Sequence, residues 1–164
     1  MTPLGIEVFR IVTRARVGDA FSGDGARLYG GRWNPKGLRV VYTASTRSLA
    51  MLEMLVQDQP LRAKYVIIAA SIPPRIRVDS IAASALPAQW RSPRQSEELR
   101  RIGTEWLERA NTAVLRVLSA VVPQEGNYLL NPAHADFGKI KLGKPETFTP
   151  DHRLISRLGG VVDC

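Results

Sequence analysis

The chain has 164 residues, a formal charge of +8 and 45% hydrophobic residues, enough to bury a core of its own, and it reads as one domain over residues 1–164. Its one cysteine, Cys164, excludes an internal disulfide and a cysteine-based metal site, which favours a reducing, cytoplasmic setting. The apolar runs 49–56 and 65–72 are too short to span a bilayer, and no charged-then-apolar leader opens the chain, so a soluble, unexported protein with no membrane partner is expected.

In chain order, Val8 to Val12 reads as an opening strand and the Gly/Ser/Asp-rich stretch from Ala20 to Gly31 as a loop. Arg39 to Thr43 is a second strand. Hydroxyls at 45–48 suit a helix cap, and Leu49 to Gln57 then reads as a helix apolar on nearly every side, hence buried, stopped by Pro60. Tyr65 to Ile72 has the continuous β-rich character of a central strand, with Ile76 to Val78 as an edge extension. Ala82 to Pro93 is a loop or short turn. A cover helix begins at Ser96, where Glu97 and Glu98 meet the positive end of the helix dipole and Leu99, Ile102, Trp106 and Ala110 recur at helical spacing. Ala113 to Val122, Asn127 to Leu130 and Glu146 to Thr149 complete the strands. Helices and strands that do not alternate strictly indicate α+β around a mixed or antiparallel sheet.

The basic residues are scattered. Residues 91–109 mix five arginines with four glutamates, which argues against a dedicated DNA-binding arm. An acidic partner, a phosphate-bearing substrate and weak salt-sensitive binding of nucleic acid stay open. The phosphate-cradling glycine motifs of nucleotide-binding folds are missing, so any phosphate must be held by side chains.

The chemistry concentrates around residues 30–53. Gly30-Gly31-Arg32-Trp33-Asn34-Pro35-Lys36-Gly37 is a tight bend that presents a cation beside a large aromatic. Arg32 offers a planar fork to a phosphate or carboxylate, and Trp33 can stack on a flat ring or fill the core. Tyr42, on the strand that follows, offers a ring face or a hydroxyl. Glu53 is the only ionisable residue between Leu49 and Val56. A carboxylate among apolar neighbours needs compensation, and Arg32 is the candidate partner. Glu53 either closes a buried ion pair or faces a cleft where it stabilises positive charge on a substrate, such as an oxocarbenium-like sugar cation. Ser119 lacks the Gly-x-Ser-x-Gly setting of a hydrolase nucleophile. His134 and His152 lack metal-ligand spacing, and no metal is expected. Asn127 and Asn131 are turn formers first and ligand contacts second.

The order of these pieces resembles the RES domain family, the toxins of bacterial RES-Xre toxin–antitoxin systems. The matching stretches are Phe9-Arg10-Ile11, residues 29–37, Val40-Val41-Tyr42, residues 49–55, residues 119–123 and residues 127–134. The family takes its name from an arginine, a glutamate and a serine, which fall here on Arg32, Glu53 and Ser119, with Tyr42 as a further active-site position. Two positions depart from the usual pattern: Leu118 and Ala135 stand where prolines are common.

The resemblance implies a fold related to ADP-ribosyltransferases, NAD as substrate, cleavage of its nicotinamide–ribose bond, and inhibition by an Xre-type helix-turn-helix antitoxin, through which alone the toxin would meet DNA. The expected site binds NAD through Arg32 with help from Arg10 or Arg27, and packs the nicotinamide against Tyr42 and Trp33. Glu53 would stabilise the cationic transition state, and Ser119 would hold the leaving amide or a ribose hydroxyl. Tyr29 and Asn127 join the candidate NAD contacts. Water or inorganic phosphate is the acceptor in this reading, and a homo-oligomer stays open. Transfer of ADP-ribose to a protein is the alternative, and a noncatalytic nucleic-acid module ranks last.

Overall fold

The computed structural model describes residues 4–57 and 63–154. Its elements are β1 (Ile6–Thr13), α1 (Asp24–Tyr29), β2 (Val41–Ala44), α2 (Arg47–Gln57), β3 (Tyr65–Ile72), β4 (Val78–Ser80), α3 (Ser96–Arg109), β5 (Val114–Leu118), β6 (Gly126–Leu130), β7 (Lys141–Leu142) and β8 (Glu146–Phe148). A 3-10 segment, Arg14–Asp19, follows β1. The strands form one sheet in the order β4-β5-β6-β2-β1-β3-β7, with β8 also on β3. Only β4 and β5 run parallel; the remaining pairs are antiparallel, so the mixed α+β sheet expected from the sequence is present.

The period of two decides which face each strand residue serves. Val8, Val41, Ile68, Val114 and Leu130 bury on one face, where Phe21 and Ile140 from loops close the core. On the other face Trp33, Leu99, Trp106, Leu115 and Leu129 form the core under α3, while Phe9, Ala44, Leu49, Ala50 and Ile67 form it under α2. The two longer helices therefore cover neighbouring parts of the same face, and the sheet between them is where a site can open.

It opens because β1 is paired unequally. All eight β1 residues are in register with β3, from Ile6 opposite Ile72 to Thr13 opposite Tyr65. Against β2 only Phe9 and Ala44 are paired. Beyond that point the two strands part, and the guanidinium of Arg10 reaches across, donating from Nη1 to the Tyr42 carbonyl at 2.9 Å. A buried carbonyl that has lost its ladder partner needs another donor, and Arg10 supplies it.

Several elements differ from expectation. The Gly/Ser/Asp-rich stretch contains α1, started by Ser22 Oγ accepting from the Asp24 amide at 3.1 Å. Helix α2 begins two residues earlier than expected, with Thr46 Oγ1 accepting from Leu49 N at 3.0 Å, and only Leu49, Ala50 and Leu55 are buried while Val56 is 61% exposed. Its apolar character all round is thus not a sign of burial all round. The strand expected through Val122 ends at Leu118, because the Ser119 hydroxyl accepts from the amides of Val121 and Val122 at 3.1 and 3.0 Å and folds the chain into a turn. The helix stop at Pro60 lies outside the described residues. Among those residues no helix is long and apolar enough to cross a membrane.

Candidate active site

A cavity of about 550 Å³ occupies the split between β1 and β2, within the usual range for small-molecule sites. Strand β1 contributes Phe9 to Thr13, β2 contributes Tyr42 to Ala44, and α2 contributes Ala50, Glu53, Met54 and Gln57. Tyr29, Tyr65 and Asn127 complete the part of the wall that matters here.

Glu53 is half-buried, and its carboxylate is compensated by neutral donors rather than by a cation. Its Oε1 accepts from Ser119 Oγ and from Asn127 Nδ2, both at 2.7 Å. Charge-assisted bonds of this length are strong, and together they fix the rotamer. No side chain among the described residues donates to Oε2. The Asn127 amide donates to Glu53, so its orientation is set, and its Oδ1 is a buried acceptor with no partner among the described residues. Asn127 itself borders the cavity, while this oxygen is sealed from it.

Arg10 lies in the same cavity. Its Nε donates to the Ala20 carbonyl at 2.6 Å and its Nη1 to the Tyr42 carbonyl, leaving Nη2 uncommitted among the described contacts. Burial lowers its pKa to about 10, an effect that nearby Arg16 adds to and Asp19 opposes. It is charged at neutral pH, partly buried, and held by carbonyls rather than by a carboxylate. Such a cation is poised for an anion.

Tyr42 links the cavity to the glycine-rich bend. Its hydroxyl donates to Asn34 Oδ1 at 2.6 Å and accepts from the Trp33 amide at 3.1 Å. Asn34, fully buried, donates from Nδ2 to the carbonyls of Ala26, Pro35 and Leu38. Burial raises the phenol pKa, and the Trp33 amide, Arg100 and Arg32 act against that rise. The bend needs its first two glycines: Gly30 has φ of 71°, and a Cβ on Gly31 would lie 2.6 Å from the Tyr42 hydroxyl.

The site residues expected from the sequence are therefore only partly brought together. Tyr42, Glu53, Asn127, Arg10 and Tyr29 line the cavity, and Ser119, fully buried, touches Glu53 from behind. Arg32 is not Glu53's partner and does not line the cavity; it sits near the Tyr42 phenol. Trp33 is 3% exposed and belongs to the core under α3, so its ring is structural. Arg27 is committed to Asp24 at 3.1 Å on the outer surface of α1. His134 Nδ1 accepts from the Asp136 amide, a turn role.

Two supporting residues were missed. Gly103 of α3 packs so tightly on the bend that a Cβ there would lie 1.7 Å from the Trp33 carbonyl oxygen, and Arg100 Nε donates to the Gly31 carbonyl at 3.0 Å. A glycine inside an otherwise good helix was the available signal.

With this geometry in view, comparison with known proteins decides the family: the RES domain profile matches residues 7–151. The chain belongs to the RES domain family. It is 39% identical over 151 residues to "Toxin Res" of Photorhabdus laumondii, covering 90% of this chain and 96% of that one. It is also 36% identical over 155 residues to the "Prs ADP-ribosylating toxin" of a Sphingobium species, covering 91% and 96%. The crystal structure of the M. tuberculosis MbcT–MbcA toxin–antitoxin complex contains a chain of the same fold, with a TM-score of 0.76 at 21% identity, covering 96% of this chain and 90% of that one. This RES chain thus has the α+β, ADP-ribosyltransferase-like fold anticipated from its sequence.

Proposed function

We propose that this RES protein is the toxin of a cytoplasmic toxin–antitoxin pair and that it destroys NAD by cleaving the nicotinamide–ribose bond. The observation that carries the reading is the Glu53 carboxylate, locked at Oε1 by Ser119 and Asn127 and given no donor at Oε2 among the described residues, beside a cavity that also holds the partly buried Arg10. A fixed anion stabilises positive charge that develops only as a bond breaks, and Arg10 complements a pyrophosphate.

In this reading Arg10 binds the pyrophosphate of NAD. Glu53 Oε2 accepts from a ribose hydroxyl, Asn127 borders the ribose, and Tyr42 borders the nicotinamide. Arg32, beside Tyr42, guides the anionic substrate toward the cavity mouth and holds the phenol's surroundings positive. As the C–N bond breaks, its electron pair stays on the pyridine nitrogen and neutral nicotinamide leaves, while Glu53 stabilises the ribosyl cation. Water then gives ADP-ribose and a proton; inorganic phosphate gives ADP-ribose 1″-phosphate.

A second reading, transfer of ADP-ribose to a protein, is favoured by the name of the Sphingobium relative. The partner proposed for the chain is an Xre-type antitoxin that covers the cavity, in keeping with the toxin–antitoxin assembly of the structural neighbour. Incubating the pure chain with NAD, with and without phosphate, and identifying products by mass spectrometry tests these readings. Nicotinamide with ADP-ribose or its 1″-phosphate is expected. Intact NAD would refute the proposal, and a mass gain on an added protein would favour the second reading.

A further inference from the structure

The sequence reading gives Ser119 a contact with the substrate. We infer that Ser119 instead never touches NAD and is a positioning residue, whose hydroxyl acts only through Glu53. This rests on the NAD reading above and deepens it.

A serine hydroxyl has one proton to donate and two lone pairs to accept with. At Ser119 all three are spent within the protein. The proton goes to Glu53 Oε1 at 2.7 Å, and the lone pairs take the Val121 and Val122 amides at 3.1 and 3.0 Å. The residue has no exposed surface and is not part of the cavity wall. Its backbone amide is engaged too, donating to the Glu125 carbonyl at 3.0 Å, which pins the turn that carries the hydroxyl. Any substrate bond to Ser119 would have to displace one of these.

The consequence for Glu53 is directional. Both donors, Ser119 Oγ and Asn127 Nδ2, converge on the same carboxylate oxygen. They come from separate places, the turn after β5 and the start of β6, so the carboxylate is held on two sides and cannot rotate to offer Oε1. Oε2 is then the one oxygen available to the substrate. Ser119 and Asn127 differ in one respect: Asn127 borders the cavity, whereas Ser119 does not.

The test compares the parent and Ser119→Ala on NAD and on the 3-acetylpyridine analogue, which has a methyl in place of the amide nitrogen and so probes a group that Glu53 does not touch. Ser119→Ala is expected to lower turnover at least tenfold on both, with the ratio of the analogue to NAD unchanged within about twofold, because the nicotinamide amide has lost no partner. An analogue ratio that collapses toward one in Ser119→Ala would show direct contact and overturn the inference alone. A parent that leaves NAD intact overturns it together with the reading it rests on.

A second pair separates hydroxyl from shape. Ser119→Thr and Ser119→Val have the same outline and differ by the hydroxyl. Thr is expected to retain at least ten times the turnover of Val per folded molecule, judged by circular dichroism. Equal activities would overturn the inference, and Ser119→Cys against Ser119→Ala makes the same comparison in a smaller volume if the larger side chains prevent folding.

Discussion

The two edges of β1 are built from the same eight residues and do opposite things. Toward β3 the ladder is complete, with all eight residues paired and Ile67, Ile68 and Ala70 buried beneath it. Toward β2 it closes at one pair, Phe9 with Ala44, and then opens into a cavity bordered by Glu53, Asn127 and Tyr42. A closed ladder satisfies every backbone group and leaves no room for a ligand, whereas an open one leaves carbonyls and space that side chains must manage. Arg10, the cation in an otherwise apolar strand interior, manages it by bonding the Tyr42 carbonyl. Stability and chemistry are thus assigned to opposite edges of one strand.

That division can be broken from either side. The largest effect is expected at the closed edge: Ile68→Ala, opposite Arg10 in the β3 ladder, removes a fully packed side chain. It should cost about 3 kcal/mol in urea unfolding, with NAD turnover per folded molecule unchanged. At the open edge Arg10→Met keeps the volume but removes the charge. It should weaken NAD binding by calorimetry about thirtyfold, the size of roughly 2 kcal/mol for a charge-assisted bond, and shift the urea midpoint less than Ile68→Ala does. The smallest effect is expected where α2 starts. Thr46→Ala removes the cap on Leu49 and should cost about 1 kcal/mol in unfolding, leaving the Glu53 bonds to Ser119 and Asn127 in place. If Arg10→Met proved as destabilising as Ile68→Ala and left NAD affinity untouched, the division of labour would be wrong.

What the sequence reveals and what it hides divide along the same line. β3 is found at its full extent, Tyr65 to Ile72, because a continuous apolar run buried on both faces has one dominant reading. Helix α3 is found from Ser96 because dipole, spacing and apolar stripe agree. Glu53 stands out as a charge among apolar neighbours, but its partners do not. Ser119 and Asn127 lie 66 and 74 residues away, and it takes both the β2–β6 pairing, which sets Asn127 opposite Ala44 just before α2, and the β5–β6 pairing, which sets it opposite Val117, to bring them near. Arg32 was the natural guess because it is close in sequence and always charged. Two neutral donors compensate Glu53 instead, and the partly buried Arg10 keeps its charge and Nη2 for an anion. The sequence leaves Trp33 open between ring stacking and core filling, and its burial with Leu99 and Trp106 under α3 settles it as core.

The most direct measurement is NAD consumption by purified Glu53→Gln beside the parent, with matching far-UV spectra. Glutamine keeps the shape and can still meet Asn127 and Ser119 but lacks the charge that answers the ribosyl cation. The account predicts at least about a hundredfold slower turnover, equivalent to about 3 kcal/mol of lost transition-state stabilisation. Equal rates for the two proteins would contradict it.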